Sequence, residues 1–381
     1  MWVMSMGRSE RFGWLAGVTG VGAIGAVAAS GVARNAARRR STGRVDPFAG
    51  VDFTTIYDDD ATTVTADDGV SLAVRTVVTG PGGRDPSVEP DLTVVFVHGF
   101  SLRMASWHFQ RYALEAWWSQ RTVRMVFFDH RGHGRSDPAP SDTCTISQLA
   151  DDTAAVIRSV APDGPLVLVG HSMGGMSLMG LARRDPALFG PQGRVTGVAL
   201  VATAARGIAE AGLGEGLHNP LVDAFRLSVR HVPALVRAGR GITRQALEPV
   251  LVAASFGTDF YSPNAGRAVE KMIQNTPIET LVDFLHTLED HDETTALPIL
   301  AQVPSVVVCG NQDRLTPLPR SVRMYSELGA DSRLVVVDGA GHMVPMERPE
   351  EVTEAIADLV DRARVAAGQP HRRWWRKLVA R

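Results

Sequence analysis

Ser172 lies in Gly170-His171-Ser172-Met173-Gly174, directly after the apolar run Leu166 to Val169 and directly before a stretch with helical patterning. A serine with a glycine two residues away on each side, at a strand-to-helix turn, is the pattern that presents a hydroxyl as a nucleophile above a sheet edge. The glycines have a steric reason. So sharp a turn holds the serine in an unfavourable backbone region, and side chains at 170 and 174 would collide with the neighbouring strand and helix. A serine hydroxyl is too weak an acid to attack a carbonyl unaided near neutral pH. The chemistry therefore needs a base, an acid that orients the base, and amide donors for the charge that develops on the attacked oxygen.

Base and acid are expected downstream, in the order Ser, Asp, His. Gly310-Asn311-Gln312-Asp313 follows an apolar run from Ser305 to Cys309, and Gly339-Ala340-Gly341-His342 follows another from Leu334 to Val337. Each sits just past a strand end, where an open α/β sheet gathers its ligand site. His342 is expected to be the base and then the acid, with Asp313 fixing its tautomer. Asp338, and Asp290 or Asp292 beside His291, are the runner-up acids. The amide donors are expected to be the backbone N–H of Met173, at a helix N-terminus, and that of Phe100 in His98-Gly99-Phe100. Gly99 allows close backbone approach, and His98 is expected to hold this loop by hydrogen bonding rather than to act on substrate.

These residues need an element pattern to position them. Residues 41 to 60 read as a linker, and alternating runs on either side of Asp67-Asp68-Gly69 read as a hairpin. Strand-like runs then alternate with helix-like stretches: strand 92–97, helix 106–118, strand 123–128, helix 146–160, strand 166–169, a helix after Ser172, strand 195–201, strand 305–308, strand 334–337 and helix 349–365. Near-continuous Val/Leu runs between helices predict an α/β fold with a mainly parallel sheet covered on both faces. Residues 205 to 296 break the rhythm with helical stretches such as 221–236 and 278–288, which reads as a helical insertion.

Taken together, the chain resembles the α/β-hydrolase superfamily in its Ser-Asp-His branch of esterases, lipases, C–C bond hydrolases and cofactor-free haloperoxidase-like perhydrolases. The resemblance rests on His98-Gly99-Phe100, Phe128-Asp129-His130-Arg131-Gly132-His133-Gly134-Arg135-Ser136, Gly170 to Gly175, Asn311 to Asp313 and Gly341-His342, and covers about residues 60 to 365. It implies an α/β-hydrolase fold, a structural role for the 129–136 loop with His130 and His133 as packing residues, and a helical cap built from 205–296. Serine at the elbow, in place of aspartate, sets the epoxide hydrolase and haloalkane dehalogenase branches aside. The implied organisation is an apolar segment and basic flank at 1–45, core at 46–204, cap at 205–296, core again at 297–367 and a basic tail at 368–381.

Length and composition agree with an enzyme-sized globular chain: 381 residues, 45% hydrophobic and 21% charged, too apolar for wholesale disorder. Lys+Arg 39 against Asp+Glu 41 leaves a formal charge of -2, which does not suggest a nucleic-acid partner. Cys144 and Cys309 form neither a CxxC site nor a disulfide framework, and neither a metal nor an organic cofactor is expected. Residues 12–33 carry no charge and span about 33 Å as a helix. They read first as a membrane anchor, since Arg34, Arg38, Arg39, Arg40 and Arg44 outweigh Arg8 and Arg11 and would keep the catalytic domain cytoplasmic. A cleaved signal peptide ending at Ala26-Val27-Ala28, with export, and an inert leader are the alternatives. The segment His218 to Arg244 and the tail His371 to Arg381 mix arginines with apolar residues; both read either as solvated surface or as membrane-surface contacts. Met173, Met176, Met179 and Met343 read either as core filling or as pocket lining.

The leading expectation is a serine hydrolase cleaving a carboxylic ester with an apolar or lipid-derived acyl group through an acyl-serine. C–C bond hydrolysis and perhydrolysis are alternatives on the same residues, and a non-catalytic receptor or interaction module is the alternative of another class.

Overall fold

The computed structural model describes residues 44–81, 89–206, 251–252 and 254–366. Among them, eight strands form one sheet in the order β1-β2-β4-β3-β5-β6-β7-β8. The expected hairpin is β1 (Asp60–Thr65) and β2 (Ser71–Val78), turned at Gly69 with φ +92°. β2 pairs antiparallel with β1 and with β4 (Val123–Phe128). Every other pairing is parallel, through β3 (Leu92–Val97), β5 (Leu166–His171), β6 (Val195–Val201), β7 (Ser305–Gly310) and β8 (Ser332–Val337). β3, β5 and β7 are buried at every residue, which requires cover on both faces and explains their unbroken apolar sequence.

Two helix pairs supply much of that cover. α2 (Ile146–Val160) packs on α3 (Met173–Arg184), and α1 (His108–Trp117) packs on α7 (Pro349–Ala366). The Thr145 hydroxyl caps α2 by accepting from Gln148 N. α3 is buried from Met173 to Ala182, so the helix that begins at the elbow is also central to the core. Met173, Met176, Met179 and Met343 all lie in that core.

Parallel register brings the strand ends into line. Val97 lies opposite Gly170, His171 opposite Val201, Val201 opposite Val308, and Gly310 opposite Val337. The loops after β3, β5, β7 and β8 therefore leave one edge of the sheet together.

Three differences from the sequence reading have physical causes. Residues 44–59 are not a loose linker: Phe53, Ile56 and Tyr57 of the 3-10 turn Phe53–Asp58 are buried. The helix expected from Ser106 is a 3-10 turn, Met104–Trp107, followed by α1. A helix that the pattern did not suggest, α6 (Leu318–Ser326), connects β7 to β8. It follows α4 (Pro263–Gln274) and α5 (Ile278–Asp290), both within the expected insertion. The stretch 207–250, including the expected helix 221–236 and the basic segment 218–244, lies outside the described residues, as do 1–43 and 367–381. Among the described residues no helix is long and apolar enough to cross a membrane.

Candidate active site

Ser172 is the single residue between β5 and α3, and its backbone sits at φ +53°, ψ -121°. A non-glycine residue there carries strain of roughly 1–3 kcal/mol, which persists because the surroundings over-determine it. Ser172 N donates to Val201 O at 3.0 Å, and Ser172 O accepts from Thr203 Oγ1 at 2.7 Å. Glycine is required on the helix side: a Cβ at Gly174 would stand 2.2 Å from the carbonyl oxygen of Val97. At Gly170 it would stand 2.7 Å from Gly175 Cα. Ser172 is 7% exposed, close-packed yet reachable.

Asp313 and His342 come from the loops after β7 and β8. His342 Nδ1 lies 2.9 Å from Asp313 Oδ2. Thr316 Oγ1 donates to the same oxygen at 2.8 Å, while Leu315 N and Thr316 N donate to Asp313 Oδ1 at 2.8 and 2.9 Å. Held by these three donors, Asp313 presents Oδ2 as the acceptor for a proton on His342 Nδ1. The two loops are stitched together by Gln312 N donating to Ala340 O and Asn311 N donating to Val337 O.

The runner-up acids are engaged elsewhere. Asp338 is exposed and accepts from Asn311 Nδ2 at 2.6 Å. Asp292 is exposed, accepts from Thr294 N and Oγ1, and pairs with Arg206 at 3.4 Å. His291 Nε2–H donates to Ala204 O. The side chain of Asp290 lies outside the described residues.

The loop after β3 is pressed onto the elbow: a Cβ at Gly99 would meet His171 Nδ1 at 2.9 Å and Ser172 Cβ at 3.0 Å. Phe100, the next residue in this loop, is half-buried, and Met173 opens α3 directly after Ser172. Three neutral histidines fix the loop. His98 Nδ1–H donates to Gly99 O at 2.8 Å while His98 Nε2 accepts from His130 N at 2.9 Å. His130 Nε2–H returns a bond to His98 O at 3.0 Å, and His133 Nε2 accepts from Ser101 N at 3.2 Å, where Ser101 has φ +59°. Burial pushes His98 well below its ordinary value, His130 down to about 3 and His133 down to about 4. All three are therefore uncharged and act by tautomer.

Asp129 braces the same loop from behind. Its Oδ1 accepts from Met104 N at 2.7 Å, and its Oδ2 from Tyr57 OH and Arg135 N, both at 2.8 Å. Burial raises its pKa, opposed by those three bonds. Sequence reasoning missed Tyr57, Thr316 and the buried Glu347, whose carboxylate accepts from Gly341 N, next to His342. Thr316, three residues after Asp313, had a signal in the turn habit of Asp-x-x-Thr; Tyr57 and Glu347 had none. Among the described residues no group of His, Cys, Asp or Glu could hold a metal ion.

Residues 94–355 match the model of a family described as the alpha/beta hydrolase family. The dihydrolipoyllysine-residue acetyltransferase component of the acetoin cleaving system of Pseudomonas putida is 26% identical over 269 residues, 68% of this chain. The chain spans 61% of that relative's length. The pimeloyl-[acyl-carrier protein] methyl ester esterase of Neisseria meningitidis is 27% identical over 290 residues, 73% of this chain and 97% of that one. Among solved structures, a thermophilic esterase from Thermogutta terrifontis superposes with a TM-score of 0.62 at 27% identity, covering 80% of this chain and 99% of the other.

Proposed function

The chain belongs to the alpha/beta hydrolase family, and from that premise we propose that it is a serine hydrolase that cleaves a carboxylic ester through an acyl-Ser172 intermediate. The observation that carries this reading is the 2.9 Å hydrogen bond between His342 Nδ1 and Asp313 Oδ2, set at the same sheet edge as a serine strained at φ +53°.

Ser172 Oγ attacks the ester carbonyl carbon as His342 Nε2 takes its proton. The N–H groups of Phe100 and Met173 receive the oxyanion of the tetrahedral intermediate. Collapse breaks the bond to the alcohol, which leaves with the proton from His342. Water then repeats the sequence on the acyl-serine and releases the acid. Throughout, Asp313 keeps the Nδ1 proton in place and offsets the positive charge on the ring.

For the acyl group we propose an apolar, lipid-derived chain, and for the protein a membrane association with the catalytic domain on the cytoplasmic side. Support for both lies in sequence alone: the uncharged stretch 12–33 with its arginine flank, the arginine-bearing apolar segment 218–244 and the Trp/Arg tail. The esterase named among the relatives is consistent with ester chemistry. The residues 205–296 are proposed to cap the site and to choose the substrate.

Turnover of p-nitrophenyl esters from acetyl to palmitoyl, in the intact chain and in Ser172→Ala, tests the reading. Serine-dependent turnover peaking at long chains is expected. A peak at acetyl would remove the lipid proposal. Silence with Ser172 still labelled by a fluorophosphonate would shift the reaction to a C–C or perhydrolase substrate, and silence without labelling would leave a receptor.

A further inference from the structure

We propose that Glu347 is a positioning residue for His342, clasping the loop that bears the base to the segment Ser255–Thr258 within the insertion. The inference rests on the hydrolytic reading above, because it assigns a task to a residue that serves the base.

Glu347 ends the short helix Val344–Glu347 and is 3% exposed. Its two carboxylate oxygens are divided between two loops: Oε1 accepts from Gly341 N at 2.9 Å, and Oε2 accepts from Gly257 N at 2.8 Å. Gly341 is the residue before His342, so the first bond fixes the Ala340–Gly341 peptide, one residue ahead of the base. Two backbone donors converging on one side chain demand two acceptors and no donor. A carboxyl group with an oxygen turned to each donor meets that demand, whereas an amide would turn an N–H against an N–H.

The loops that Glu347 joins are in backbone contact. A Cβ at Gly257 would stand 2.4 Å from Gly339 O, and one at Gly341 would stand 2.3 Å from Gly257 N. Met343 N, on the other side of His342, donates to Ser255 O at 2.8 Å. Gln312, the residue before Asp313, accepts from Thr258 N and Thr258 Oγ1, both at 2.7 Å. Ser255, Gly257 and Thr258 are thus tied to both flanks of the base and to the neighbour of the acid. Glu347 is the one charged member of this clasp.

Keeping a carboxylate at this depth is costly, and the surroundings do little to relieve it. Burial pushes Glu347 up to about 7; the two backbone bonds lower it, the charge of Asp313 raises it, and Arg348 lowers it slightly. Arg314 is the other charge within reach, and a cavity of about 320 Å³ beside Glu347 adds Arg44 and Asp259. An apolar side chain at 347 would leave the N–H groups of Gly257 and Gly341 without their acceptor in a buried place. The carboxylate holds the Ala340–Gly341 peptide in register with Ser255–Thr258 and so sets where the backbone of His342 begins.

The test is the kcat of Glu347→Gln on a short p-nitrophenyl ester, per active serine titrated with a fluorophosphonate. A fall of roughly tenfold to a hundredfold with KM unchanged is expected, since displacing a catalytic group by an ångström costs about that much. A structural role alone would lower the titratable fraction and the melting temperature and leave kcat per labelled serine at the wild-type value; that result overturns the proposal. If Glu347→Gln does not fold, Glu347→Asp keeps both oxygens on a stem one methylene shorter. Asp is expected to give the same split between kcat and KM, and wild-type kcat there equally overturns the role. A wild-type chain that neither labels nor turns over esters overturns the hydrolytic reading itself, and with it the assignment to Glu347.

Discussion

His171 Nε2–H donates across 3.0 Å to the main-chain carbonyl of His342, so the residue before the nucleophile carries the loop that bears the base. A carbonyl can only accept, which places the imidazole proton on Nε2 and leaves Nδ1 bare, buried and without a partner among the described residues. Burial, assisted by the nearby His342, pushes His171 down to about 3. The bond is therefore made by a neutral ring and does not change across the pH range in which a histidine base would titrate.

Replacing His171 by Phe keeps a ring against His342 and deletes the donor. The expected cost is about 1–3 kcal/mol of stability, because the His342 carbonyl loses that partner in a buried place. The urea midpoint of His171→Phe at pH 7 should fall accordingly. An unchanged midpoint would mean that the carbonyl finds another donor and that the bond is incidental.

Asp313→Asn is expected to be the more selective change. The amide keeps one oxygen for Leu315 and Thr316 but offers His342 Nδ1 a donor where it needs an acceptor, which favours the wrong tautomer. A loss of roughly 10³–10⁴ in kcat with little change in melting temperature is expected. Less than a tenfold loss in steady-state turnover would remove Asp313 from the role and return Asp338 to consideration.

Much of this geometry is legible in the sequence because it is local. β3, β5 and β7 read as strands because burial on both faces leaves only apolar residues, and the elbow reads as an elbow because glycines 170 and 174 bracket Ser172 within one turn. What escapes is what depends on distant partners. Phe53, Ile56 and Tyr57 hid inside a polar stretch, and Tyr57 meets Asp129 from 72 positions away. α6 starts at Leu318, carries Pro319 in its first turn and buries little beyond Ser321 and Met324, so its apolar pattern is weak. Glu347 stands in Met-Glu-Arg-Pro, which carries no local mark of burial; two glycines brought from residues 257 and 341 make it a buried clasp.

His108 gives a clean test of how the buried histidines tie stability to pH. It is 9% exposed among Phe53, Phe109 and Tyr112, and burial pushes it down to about 4, with Arg111 adding to the shift and Asp52 opposing it. The unfolded chain takes up this proton near pH 6.5 and the folded chain only near 4, so between those values the unfolded state binds more protons. Its contribution is present above pH 6.5 and is lost as pH falls toward 4. His108→Phe removes the titration, so its stability relative to wild type should grow on acidification, by about 1 kcal/mol at pH 5 after allowance for solvent screening. Urea unfolding of both proteins at pH 7 and pH 5 measures it, and a constant difference would show that His108 protonates freely in the folded state.

The N-terminal stem separates anchoring from folding. Asn264 N donates to Asp46 Oδ2 at 2.8 Å, and Asn264 Nδ2 donates to Phe48 O and Val51 O at 2.7 and 2.8 Å. The Phe48 ring lies 4.6 Å from Phe109 and 6.4 Å from Phe260, so residues from Asp46 onward belong to the folded body. Removing 1–44 takes away the uncharged stretch and its arginines and leaves these contacts whole. The truncated protein is expected in the soluble fraction of a lysate, with the melting temperature and the kcat of the full chain on a soluble ester. Removing 1–51 strips the stem as well and should lower the melting temperature, because two aromatic contacts and three hydrogen bonds go with it. If the shorter truncation still pellets with membranes, the leader is not the anchor, and the association passes to the arginine-rich segment 218–244 or to the Trp/Arg tail. If it is soluble but inactive while normally folded, the leader takes part in the site, against the proposal that it serves only to hold the enzyme at a membrane.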